Sequence, residues 1–190
     1  MKKLMMVVLA SVLAVACSSQ KEPAEMAVNG LETAATTARP EIERFAPDRL
    51  TGVNEAVAAV KAKFDRGDYA GALADVQAAS GTVTAAAEAA AARKAALSTE
   101  WAAFAGLPTM VGQIEARMSE LAAMRRLPRG MDKARLDGAR SSLDSAKALW
   151  DEATDAQEDG DLVLAVSKAK NASPIIESLV STLGITMPAR

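Results

Sequence analysis

The 190-residue chain has no histidine, a single cysteine, and aromatic rings at only 3% of its positions. Without histidine it lacks the side chain that exchanges protons most readily near neutral pH and the commonest metal ligand. One cysteine excludes an intramolecular disulfide and any zinc site built on several thiolates. No glycine-rich phosphate loop and no Ser/His/Asp set can be assembled, which leaves carboxylates alone as the catalytic alternative, with no obvious pocket in a thin alanine-rich bundle to raise one pKa selectively. Charge of one sign is also scarce. The net charge is −2 with both signs interspersed, and no aromatic residues interleave the basic ones, which points away from nucleic acid. Carboxylates do gather at Asp151, Glu152, Asp155, Glu158, Asp159 and Asp161, but without the ligand order or glycine position of a calcium loop. They read as a solvated helix face with caps. The expectation is a noncatalytic protein with no metal and no cofactor.

What remains is alanine-rich. Hydrophobic residues make up 50% of the chain, and alanine favours helix strongly while burying little area per residue. The organising stretch runs from Asp68 to about Phe104. Tyr69, Leu73, Val76, Ser80, Val83, Ala87, Ala90, Lys94, Leu97, Trp101 and Phe104 recur at alternating steps of four and three, the spacing of one seam along a long helix. Other helices must cover that seam.

The amino-terminal residues carry a different signal. Lys2 and Lys3 precede an apolar run, Leu4 to Ala16, too short to span a bilayer and arranged as an export leader. Its end, Ala14-Val15-Ala16-Cys17 after Leu13, resembles the lipobox of bacterial lipoproteins, with alanine at the position where leucine is usual. The resemblance implies cleavage before Cys17, diacylglyceryl transfer to its thiol and acylation of the new amino terminus. Several acyl chains make such anchoring stable where one is marginal. Under the sorting rule of enteric bacteria, Ser18 implies the outer membrane, with the body facing the periplasm.

Residues 1–16 are thus a leader and 17–23 an acylated tether. Asn29-Gly30 and the Thr33 to Thr37 cluster dilute the helical character of 24–46, which reads as a peripheral helix or a partly mobile lead. The bundle domain is expected over 47–184. Leu50, Val53, Val57, Val60 and Phe64 form the buried stripe of a helix that starts near Pro47-Asp48 and ends at Gly67, where Asp68 can cap the long helix directly. After Gly106-Leu107-Pro108, a further helix carries Val111, Ile114, Met118 and Leu121. Arg125, Arg126 and Arg129 mark a basic turn, read first as compensation of a helix C-terminus, with an anionic polymer or lipid head group as the alternative. A regular helix follows with Leu136, Ala139, Leu143, Ala146, Trp150, Ala153 and Gln157 on its seam. It stops at Gly160. The last helix, Leu162 to about Leu183, contains Pro174, which should bend it.

The two sharp turns match each other at an offset of 93: Asp65-Arg66-Gly67-Asp68-Tyr69 against Glu158-Asp159-Gly160-Asp161-Leu162. Leu50, Val53, Val57 and Val60 fall on Leu143, Ala146, Trp150 and Ala153, so each copy is a helix, a glycine turn and a second helix. Gly67, Asp68, Tyr69, Ala72 and Leu73 also resemble the turn of a tetratricopeptide repeat, with Gly160, Asp161, Leu162 and Ala165 a weaker copy. The offset is far from the roughly 34 residues of that solenoid, so the resemblance implies helical hairpins rather than a superhelical peptide groove.

The fold class expected is all-α, an elongated antiparallel bundle of four or five long helices with two related hairpins, joined to a membrane by its N-terminal lipid. Trp101, Phe104, Leu107 and Met110 are the candidate partner-binding residues. They either fill wide places in a thin core or form an exposed tip for another envelope protein. A second reading is a carrier for a small apolar or lipid-like ligand, which would require a cavity around Met118, Leu121, Leu143 and Trp150.

Overall fold

A computed structural model describes residues 20–186, which form six α-helices and one 3-10 turn. The helices are α1 (Lys21–Phe45), α2 (Leu50–Asp65), α3 (Tyr69–Ala102), α4 (Leu107–Ala123), α5 (Lys133–Glu158) and α6 (Leu162–Thr182), with the 3-10 turn Pro47–Arg49 between the first two. The all-α class and its helical hairpins are as the periodicity predicts. No described helix is long and apolar enough to cross a membrane. The chain divides into two compact units between Arg93 and Lys94, within α3.

In the first unit α1 packs on α2. The lead read as peripheral or partly mobile is a continuous 25-residue helix. Ala24, Val28, Leu31, Ala35, Ile42 and Phe45 lie on one buried stripe, while Asn29, Gly30, Thr33 and Thr37, whose low helix propensity argued against it, sit on the exposed side. Burial of one face outweighs the propensity of the other. Pro40 also lies on exposed backbone and the helix continues through it. α2 buries Val53 and Val60, while Leu50, Val57 and Phe64 of the expected stripe are half-buried.

The seam of α3 is rotated from the expected line. Ala72, Ala79, Val83, Ala86, Ala90 and Leu97 are buried, whereas Leu73, Val76, Ser80 and Ala87 are half-buried and Lys94 is exposed. Where nearly every position is alanine or another small residue, side-chain size does not fix the inward face; the larger residues sit at its flank.

In the second unit α5 and α6 form an antiparallel pair and α4 packs against both. Leu107, Ile114, Met118 and Leu121 of α4 meet Leu136, Ala139, Leu143 and Ala146 of α5, with Ala172, Ile176, Leu179 and Leu183, in one buried cluster. The α5 seam closes on Ala156 instead of the exposed Gln157.

The two glycine turns are built alike. Gly67 has φ +80° and Gly160 φ +75°. In the first, Gly67 N–H donates to Phe64 O (2.9 Å) and Asp68 N–H to Lys63 O (3.0 Å); in the second, Gly160 N–H donates to Gln157 O (3.1 Å) and Asp161 N–H to Ala156 O (2.8 Å). This pair of bonds closes a helix on a left-handed residue and satisfies carbonyls that would otherwise lack partners. Each aspartate then turns to the next helix: Asp68 Oδ1 accepts from Gly71 N–H (2.9 Å) and Asp161 Oδ1 from Leu164 N–H (3.0 Å). One aspartate therefore ends one helix and starts the next, which leaves no slack in the connection. Phe64 and Tyr69 flank the first turn edge to face, centroids 5.3 Å apart, and Lys63 pairs with Asp75 across it.

The same substitution should have opposite signs at two glycines. At Gly67 alanine meets no atom, and only its positive φ is unfavourable; Gly67→Ala should lower unfolding free energy by about 1 kcal/mol. Gly81 lies mid-helix in open space, so Gly81→Ala should raise it by about 0.8 kcal/mol. Urea denaturation of both variants measures the pair, and a Gly67→Ala variant at least as stable as the parent would refute the turn geometry.

Candidate functional site

The residues proposed as a binding tip separate into floor and surface. Leu107 is core, 4% exposed. Phe104 and Met110 are half-buried and pack against the cluster that contains it. α3 ends at Ala102, so Phe104 lies in the connection to α4, where Phe104 N–H donates to Trp101 O (3.0 Å) and Leu107 N–H to Phe104 O (2.9 Å). Trp101 is half-buried and stacks on Trp150 of α5, centroids 5.3 Å apart and planes 4° from parallel. The pairing of Trp101 with Trp150 has no signal in sequence, because the residues are 49 positions apart and on different helices. Beside the stack, Lys170 of α6 donates to Glu100 at 2.6 Å. Large rings thus fill a wide place at this end of the unit, and their outer faces remain in water.

The acidic group has structural employment. Asp161 caps α6 and Glu152 pairs with Lys168, while Asp151, Asp155, Glu158 and Asp159 are exposed on a solvated face. Among the described residues no group of three or more potential metal ligands converges. Lys61 and Lys147 have pKa values raised above the ordinary lysine value, first by hydrogen bonds to Glu32 and Glu115 and then by the charge of those carboxylates. Both lysines are exposed, so these pairs tie helices together at the surface rather than create a reactive amine.

The residues expected to line a ligand cavity are mostly core. Met118, Leu121 and Leu143 belong to the buried cluster, with Trp150 packed against it. Of these four residues only Leu121 also lines an open groove. One of about 580 Å³ runs between α5 and α6, where Ala139 and Ser142 face Pro174 and Ser178. Another, of about 450 Å³, lies at the α4–α5 turn and includes Leu121, Met124, Arg125 and Lys133. Cys17 lies outside the described residues.

If the indoles stack in solution, circular dichroism should show an exciton couplet that disappears in both Trp101→Leu and Trp150→Leu. A double-mutant cycle on stability should then give a coupling of about 0.5–1.5 kcal/mol. A coupling energy indistinguishable from zero would mean the rings are apart. Comparison with protein-family models, curated proteins and solved structures finds no match for this chain.

Proposed function

We propose that the chain is a noncatalytic lipoprotein, anchored in the bacterial outer membrane by acylation of Cys17, with its helices in the periplasm as a structural or protein-interaction module. The observation that carries the reading is the leader with its lipobox-like end and the solitary Cys17. α1 begins at Lys21, four residues after that cysteine. Four extended residues reach at most about 14 Å, so an acylated Cys17 holds the first unit at the bilayer surface. The absence of histidine favours a module over an enzyme. Helical hairpins closed by short turns suit presentation of a fixed surface, and the half-exposed Trp101, Phe104 and Met110 supply aromatic and flexible apolar contacts of the kind enriched at interfaces.

Labelling of cells with radioactive palmitate should mark the parent and not Cys17→Ser, and the variant should leave the outer-membrane fraction. A native amino terminus found by mass spectrometry to be a free, unacylated cysteine would refute the anchor. Crosslinking in intact envelopes tests the module separately: Trp101→Ala with Phe104→Ala should lose a crosslinked partner while the helical circular dichroism is retained. Unchanged crosslinking in the folded double variant would remove these rings from the interface.

A further inference from the structure

The segment 125–140 has a charge unlike the rest of the chain. It holds six cations, Arg125, Arg126, Arg129, Lys133, Arg135 and Arg140, against two carboxylates, Asp132 and Asp137, in a protein of net charge −2. Elsewhere five lysines are matched: Lys61 with Glu32, Lys63 with Asp75, Lys147 with Glu115, Lys168 with Glu152 and Lys170 with Glu100. Here Arg135 donates to the Gly130 carbonyl and Arg140 lies 4.0 Å from Asp137, whereas Arg125, Arg126, Arg129 and Lys133 make no ion pair among the described residues.

Compensation of helix dipoles accounts for only part of this. Arg125 and Arg126 follow the C-terminus of α4, where positive charge is favourable, but Lys133 and Arg135 occupy the first turn of α5, the positive end of its dipole. Asp132 caps that end through the Arg135 N–H at 2.8 Å, and no acidic residue follows it in the turn. The arrangement costs local stability and concentrates positive potential over one groove. Leu121 and Leu136, both buried, form the apolar floor of that groove with Met124, which is 42% exposed. Arg125, Lys133 and Arg140 stand on its rim with Asp137 as the lone carboxylate.

An apolar floor beneath a rim of cations, of which Arg125 and Lys133 make no ion pair among the described residues, matches a ligand that has an alkyl chain and an anionic head. We propose that the groove at the α4–α5 turn binds one anionic amphiphile, a phosphate head on a single alkyl chain, with the chain over Leu121, Met124 and Leu136 and the phosphate held by Arg125, Lys133 and Arg140. The groove's volume, about 450 Å³, falls in the range of small-molecule sites, roughly 300–1,000 Å³. Guanidinium groups bind phosphate with two parallel hydrogen bonds, and the ammonium of Lys133 adds a compact charge. Every residue of the site belongs to the second unit.

The test uses the full chain carrying Cys17→Ser, so that it brings no acyl chain of its own, with methionine methyl groups labelled with carbon-13. Dodecyl phosphate below its micellar concentration should shift the Met124 signal saturably and leave that of Met26, exposed on α1, unmoved. Lys133→Gln and Arg140→Gln should each weaken binding about tenfold or more, the loss expected of a charged hydrogen bond. Asp137→Asn should strengthen it. An unmoved Met124 signal, equal binding of dodecyl maltoside or of inorganic phosphate, or unchanged binding by Lys133→Gln and Arg140→Gln would overturn the proposal.

Discussion

The alanine-to-alanine approach of helices is the constraint on which the rest depends. In the α5–α6 pair the buried positions include Ala139, Ala146, Ala153 and Ala156 on one helix and Ala165, Ala169 and Ala172 on the other. Small side chains bring backbones close and gain dispersion contacts, but each removes little apolar area from water at about 25 cal/mol per Å². Such an interface tolerates sliding, since one alanine offers nearly the same surface as the next. Register must come from elsewhere. The bonded glycine turns at Gly67 and Gly160 supply it, because an aspartate that closes one helix and caps the next sets the stagger of the two within a residue.

That dependence explains what could be read from the chain and what could not. Turns are specified by chemistry at single positions, and both were legible down to the capping aspartates. The helices on either side end and restart at positions related by the same offset of 93, Asp65 with Glu158 and Tyr69 with Leu162. Inward faces were legible only where side chains differ in size. The stripe of α2, with Val53 and Val60, was clear; in α3, where alanine stands on both candidate lines, the inferred seam missed Ala72, Ala79 and Ala86. α1 was undervalued for a related reason. Its threonines and Asn29-Gly30 were weighed as helix-breakers, although the stripe from Ala24 to Phe45 shows that they lie opposite the buried face.

The aromatic site was legible as a set of residues and not as an arrangement. Sequence proximity grouped Trp101, Phe104, Leu107 and Met110, but α3 ends before Phe104 and Leu107 opens α4 with its side chain in the core. Trp150 arrives from α5, a contact only the fold can create. A seam of small residues has few places wide enough for an indole, and two indoles together are accommodated more easily than one against alanine. Aromatic pairing is thus a consequence of the thin core.

Charge follows a complementary logic. Where helices lie side by side, long lysine and glutamate side chains bridge the alanine seams from outside, as Lys147 does to Glu115 and Lys170 to Glu100. Each such pair is worth little alone in water, yet it covers the flank of a seam with its methylenes. Interhelical pairs need a neighbouring helix that offers a carboxylate. The α4–α5 turn offers almost none to its arginines, and Met124, the residue that follows α4, lines the groove there. Cations that served only solubility would be equally at home on any exposed helix face. Their concentration at a turn, partly against the dipole of α5 and around an apolar floor, is a local departure from the rule that organises the rest of the surface, and such departures are where binding chemistry is to be sought.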